Sequence, residues 1–130
     1  MQIQTDILRL AAAAAGHAAI RQSLVAQNIA NADTPGYKAR DLASFAATYA
    51  GGEAGAPVSM KATRPAHLPG DARPLPAPEI IVTGGEAAPN GNDVSLESEM
   101  MRAVALRNQY DLALGVFRKS VDILRTSLGR

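Results

Sequence analysis

Prolines and glycines forbid a long helix anywhere between residues 41 and 94. Gly51-Gly52, Gly55, Pro57, Pro65, Pro69-Gly70, Pro74, Pro76, Pro78, Gly84-Gly85 and Pro89 punctuate that stretch. Each proline removes a main-chain donor and clashes with the preceding helical turn, and each glycine weakens helix and strand alike. Any long regular element must therefore lie at one of the two ends. Both ends carry helical periodicity.

The stronger pattern is C-terminal. Leu96, Met100, Ala103, Arg107, Tyr110, Leu114, Phe117, Val121, Leu124 and Leu128 follow alternating three- and four-residue spacing, and only Arg107 breaks the apolar series. Such a seam predicts coiled-coil packing of a helix beginning near Ser95. Ser95 suits the N-cap, with Asn92 or Asp93 as alternatives. Glu97 and Glu99 then fall in the first turn, where the helix dipole favours negative charge. Being two apart they share no face, so they do not read as a catalytic acid pair. A helix from 95 to 128 is roughly 50 Å long at ~1.5 Å per residue. Each large seam side chain contributes ~1.5–3 kcal/mol when buried, so a seam of this length needs partners.

The N-terminal pattern is shorter and made of smaller residues. Thr5 or Asp6 could cap it. Ile7, Ala11, Ala14, Ala18, Val25, Ile29 and Ala32 recur at helical spacing, widened by Leu8, Ala15 and Leu24. Arg21 and Gln22 interrupt the stripe, and Gly16 lowers helix stability by ~1 kcal/mol relative to alanine. The small side chains allow a second helix to approach closely. The fold expected is mainly α: two long terminal helices packed as an antiparallel coiled-coil hairpin. Between them lies an irregular Gly/Pro-rich middle with room for a short β-hairpin. The corresponding segments are 1–33, 34–94 and 95–130.

Residues 28–40 make the sharpest change of character: Asn28, Ile29, Ala30, Asn31, Ala32, Asp33, Thr34, Pro35, Gly36, Tyr37, Lys38, Ala39, Arg40. Thr34 precedes a proline and is pushed out of the α region. Pro35 suits the second position of a turn, and Gly36 supplies the positive φ that a type II turn demands at the third. The helix thus stops near Ala32 and Tyr37 leaves on a defined path. Asn28 and Asn31, three apart, share a face of the last turn. Turn chemistry alone accounts for these residues as a helix exit. Their amides could equally cap freed carbonyls or bond a neighbouring chain.

Within the middle, Leu42, Phe45 and Tyr49 could extend a short ordered piece. Val58, Met60 and Ala62 alternate as a strand would, and residues 80–83 are a second, β-branched candidate able to pair with it.

Composition narrows the function. Hydrophobic residues make up 47% of the chain but aromatics only 4%, and much of the rest is alanine. Alanine buries little area, so a thick core is hard to build from this chain alone. The formal net charge of +1, without a basic block, argues against a nucleic-acid partner. There is no cysteine, which excludes disulfides and thiolate metal sites. The apolar run at 8–15 lacks a basic segment before it and is broken by Arg9, so a cleaved secretory signal is not expected. His17 lies among alanines and His67 in a proline-rich loop. No nucleophile elbow, metal-spaced histidine pair or phosphate loop accompanies them. No enzyme activity, cofactor or small-molecule substrate is expected.

The stretch Val25-Ala26-Gln27-Asn28-Ile29-Ala30-Asn31-Ala32-Asp33-Thr34-Pro35-Gly36-Tyr37 resembles the N-terminal signature of bacterial flagellar axial proteins, the rod, hook and hook-associated subunits. The Asn-x-x-Asn-x-x-Thr-Pro-Gly-Tyr core is long and specific. The family's C-terminal heptad helix is matched at 96–128. Residues 62–68, and Gly91-Asn92-Asp93-Val94-Ser95-Leu96-Glu97-Ser98-Glu99-Met100, look like the short proximal rod type. The alanine-rich first helix and the stretches 50–57 and 69–78 match nothing specific in it.

The resemblance implies a structural subunit of the flagellar basal-body rod, the drive shaft crossing the periplasm. Such a subunit would be exported by the flagellar type III apparatus without a cleaved signal. Its partners would be other rod subunits, the MS-ring/export-gate base and copies of itself. Residues 28–37 would then be an assembly joint between the helical column and an outward-projecting middle. Other readings are another short proximal rod subunit, or a small helical adaptor or export-chaperone-like module.

Overall fold

The computed structural model describes residues 2–54 and 78–129. Among the described residues five elements follow in order: α1 (Gln2–Ala30), β1 (Arg40–Leu42), α2 (Phe45–Ala54), β2 (Ile80–Val82) and α3 (Leu96–Ser127). They divide into two compact units, one of residues 1–42 with 80–130, the other of residues 43–79.

In the first unit α1 and α3 pack against each other along their lengths. The end of α1 meets the start of α3 through Asn28 and Glu99, so the pair runs antiparallel. At 29 and 32 residues the helices are about 43 and 48 Å long. The core between and beside them is thin. Ala11, Ala15, Ala18, Ala39 and Ala113 make up most of its apolar members, with Leu24, Val25, Leu42 and Leu106 as the larger ones. Alanine faces let the two backbones approach, at the expense of buried area.

α1 begins earlier than a cap at Thr5 or Asp6 allows, since Gln2 is already helical. The expected stripe is buried at Ala11, Ala15, Ala18, Leu24 and Val25, whereas Ile7 is exposed. The α3 seam needs a larger correction. The side chains buried along α3 are Glu99, Leu106 and Ala113. Half-buried Ala103, Tyr110, Ser120 and Leu124 continue the same line. The packing line within the chain therefore keeps Ala103, Tyr110 and Leu124, but takes 99, 106 and 113 in place of 100, 107 and 114, and the expected seam residue Phe117 is exposed. Leu96, Met100 and Leu128 stand exposed, and Leu114 and Val121 are half-buried at its margin. The physical reason is visible at Arg107: the one-residue rotation carries its charge outward, where it pairs with Asp111 at 3.2 Å, and brings Leu106 in.

β1 and β2 form a two-stranded antiparallel sheet in the register Arg40↔Val82, Asp41↔Ile81, Leu42↔Ile80. The β-branched run at 80–83 is thus a strand, but its partner is 40–42. The alternating 58–62 segment, and His67, lie outside the described residues.

In the second unit the Ser44 hydroxyl accepts the Ala47 N–H at 3.3 Å and caps α2. Phe45 and Tyr49 pack one turn apart with their rings tilted by 38° and their centres at 5.7 Å.

Candidate assembly joint

The turn that ends α1 has the expected chemistry. Tyr37 N–H donates to the Thr34 carbonyl at 3.3 Å, and Gly36, third in the turn, has φ +71°. A side chain there would be strained in the left-handed region. The two asparagines upstream then divide the work. Asn31 stays local: its amide donates to the Gln27 carbonyl of the last helical turn at 2.8 Å, and its oxygen accepts the Thr34 hydroxyl at 3.3 Å.

Asn28 reaches across the chain. It is fully buried, at 0% exposure. Its Nδ2 donates to the Arg40 carbonyl at 2.8 Å and to Glu99 Oε2 at 3.0 Å. Its Oδ1 accepts the Arg40 N–H at 3.1 Å and the Tyr37 hydroxyl at 3.3 Å. The register of the sheet points both main-chain groups of Arg40 away from β2. The Asn28 amide thus meets the free edge of β1 as a third strand would. No other side chain supplies a donor and an acceptor in this planar arrangement except glutamine, which is one methylene longer.

Glu99 is the counterpart on α3. It is 2% exposed and carries Asn28 on one oxygen and Arg102 on the other, at 2.6 Å. A buried carboxylate is tolerated only with such partners. Beside it, Asp41 of β1 is held by Arg21 of α1 in a bidentate pair, Nε to Oδ1 at 2.7 Å and Nη2 to Oδ2 at 2.5 Å. The Asp41 carboxyl lies below its ordinary range. Burial pushes it up, but the Arg21 hydrogen bonds, the Leu42 N–H and the charges of Arg21 and Arg102 outweigh that. Arg21 is shifted upward, chiefly by its bond to Asp41 against the opposing effect of burial.

The segment before α3 completes the joint. The Asn92 amide donates to the carbonyls of Asn31, Ala32 and Thr34 at 3.0, 2.8 and 2.8 Å. These carbonyls belong to the turn that follows α1, beyond its last helical residue. Asn92 is therefore a C-cap delivered from sixty residues away in sequence. Its own oxygen accepts the Val94 N–H at 2.7 Å. Asp93 accepts the Ala39 N–H at 2.6 Å and faces Lys38 at 3.5 Å. The Gly36 N–H donates to the Asn90 carbonyl at 3.0 Å. Among the described residues no buried side-chain polar atom is left without a partner.

Of the signature residues, the joint takes Asn28, Asn31, Thr34, Gly36 and Tyr37 by side chain or turn geometry, and Ala32 by its carbonyl. Asp33 and Pro35 are exposed, and Ile29 and Ala30 are helical. Arg21, Asp41, Asn92, Asp93 and Glu99 also belong to the joint, and the sequence pattern alone does not mark them as such. Arg21 reads there as a break in a stripe, and Glu99 as a dipole charge. The clue available was the polar run at 90–93 immediately before the helix. Among the described residues no group of three or more His, Asp or Glu is placed to hold a metal ion. No described helix is long and apolar enough to cross a membrane.

Two long helices tied at one end by a buried polar joint define a helical-hairpin subunit. Comparison with known sequences places it further. Residues 8–38 match the profile of the family described as Flagella basal body rod protein. Over 114 residues the chain is 34% identical to the flagellar basal body rod protein FlgB of Agrobacterium fabrum, covering 82% of this chain and 81% of that protein. The FlgB of Escherichia coli is 34% identical over 100 residues, covering 72% of each. That of Salmonella typhimurium is 33% identical over 102 residues, covering 74% of this chain and 73% of its own length. The chain belongs to the flagellar basal-body rod protein family, whose place is the flagellar basal body.

Proposed function

We propose that this chain is a proximal rod subunit that polymerises through its terminal helices and transmits torque without chemistry. The observation that carries the reading is a second apolar line on α3. Met101, Val104, Leu112, Val116 and Ile123 are all exposed, Met101 at 75% and Leu112 at 70%. At 3.6 residues per turn this line lies roughly 130° around the helix from the one packed on α1. Asn108 and Lys119 interrupt it. A helix apolar on two faces satisfies one inside the chain and the other only in an assembly. Its neighbours in this reading are copies of itself, other rod subunits and the MS-ring/export-gate base, reached by type III export. Nucleic acid and small-molecule ligands have no part in it.

The test is complementation of a deletion strain. The deletion should lack rod, hook and motility, and the wild-type gene should restore all three. Leu112→Asp with Val116→Asp should leave the purified chain as helical as wild type and its secretion intact, yet fail to restore hooks. Normal hooks on the deletion strain, or full rescue by the double variant, would sink the reading.

A further inference from the structure

We infer that Asn90 is a latent deamidation site whose reaction the joint suppresses. Asn90 is exposed and is followed by Gly91, whose missing side chain leaves its main-chain nitrogen open to approach. In such a pair the Gly91 nitrogen, once its proton is lost to hydroxide, adds to Asn90 Cγ. The Cγ–Nδ2 bond breaks and ammonia leaves, closing a five-membered succinimide. Water then opens either carbonyl, giving aspartate or, through the other bond, isoaspartate. No oxidant, reductant or cofactor enters.

The folded chain holds the nucleophile, the side-chain oxygen of the electrophile and the Asn90 main-chain carbonyl. The Gly91 N–H donates to the Ala88 carbonyl at 2.8 Å, so the nucleophile is engaged and its proton held. Asn90 Oδ1 accepts the Asn92 N–H at 3.0 Å, which fixes the rotamer of the electrophile. The Asn90 carbonyl accepts the Gly36 N–H at 3.0 Å, which fixes the peptide between them. Gly91 sits at φ +80°, and a Cβ on it would lie 3.5 Å from Gly36 Cα, so the two turns are packed together. Ring closure draws Asn90 Cγ onto the Gly91 nitrogen, which has to give up the Ala88 carbonyl, and moves Asn90 Oδ1 away from the Asn92 N–H.

The dependence runs both ways. Aspartate at 90 adds a negative charge three residues from buried Asp93. Isoaspartate adds a methylene to the main chain between residue 90 and Gly91, which removes the Asn90 carbonyl from Gly36 and shifts Asn92 off the end of α1. Isoaspartate formed while the chain is open keeps the joint from rebuilding, and a closed joint slows the modification.

The experiment is an incubation of the full-length chain in mildly alkaline buffer, native and in concentrated urea. Aspartate and isoaspartate at 90 are then quantified by peptide mapping. Native chain should deamidate roughly tenfold or more slowly than the urea sample, the suppression following the free energy of local opening. Asn92→Ala, which frees the turn from α1, should raise the native rate toward the urea rate. Equal rates in native and unfolded wild type would overturn the inference, as would the absence of isoaspartate at 90 in the urea sample.

Discussion

The two ends of the helix pair are held by different chemistry. At the joint, Asn28, Glu99, Asp41, Arg21 and Asn92 make directional contacts, most between 2.5 and 3.1 Å. Away from it, α1 and α3 meet through alanines, Leu24, Val25 and Leu106. The apolar contact contributes in proportion to area and tolerates sliding, whereas the polar one is worth little net but admits one geometry. An alanine seam by itself leaves the register of two long helices weakly specified. The joint sets it, and leaves the remaining apolar face of α3 exposed.

Variants can pull these contributions apart. The largest effect should come from Asn28→Asp, which loses the donors to the Arg40 carbonyl and sets two carboxylates together in a buried site. About 3–5 kcal/mol of destabilisation is expected, read as a fall in the urea midpoint. A change under one kcal/mol would mean that the joint does not set the register. Leu106→Ala comes next, at about 2–4 kcal/mol, and calorimetry should show it exceeding any single alanine-seam change. Asn92→Ala strips the cap from α1 and should cost about 1–2 kcal/mol, with exchange protection lost first at residues 31–37.

The Asp41–Arg21 pair should appear as acid sensitivity. The folded carboxyl titrates below the unfolded one, so its stabilisation is complete above an unfolded value of about 3.9 and is lost as pH falls through the folded value. Asp41→Asn should lower the urea midpoint near neutrality and flatten its decline in acid. An unchanged acid slope would rule the pair out as its source. The smallest effect belongs to Leu112→Ala. At 70% exposure it should alter the stability of the isolated chain by no more than about 0.5 kcal/mol, while weakening assembly.

Local rules carried the reading a long way where one residue type has one physical use. Pro35-Gly36 could only be a turn of this kind, and the Gly/Pro spacing left only the ends for long helices. They failed where two readings share one pattern. The α3 spacing fits two lines that differ by one residue on alternate positions, and both include Ala103, Tyr110 and Leu124. Arg107 was the deciding residue, and its charge favoured the line that leaves it in water. Similarly, Glu99 fits a dipole-complementing role as well as a buried one, because helix position says nothing about what lies across the gap. The pairing of 80–82 depended on 40–42, about forty residues away, a separation that no strand pattern encodes.

By itself, then, the sequence determined the helical ends, the break between them, the turn at Pro35-Gly36 and the family, because φ restrictions and hydrophobic period act over a few residues. Only the tertiary structure decided that Asn28 serves as a third strand for β1, that Asn92 caps a helix it does not belong to, and that Glu99 is buried between them. Hydrogen bonds of a side-chain amide are set by groups brought near in space, and those groups here lie up to seventy-one residues apart.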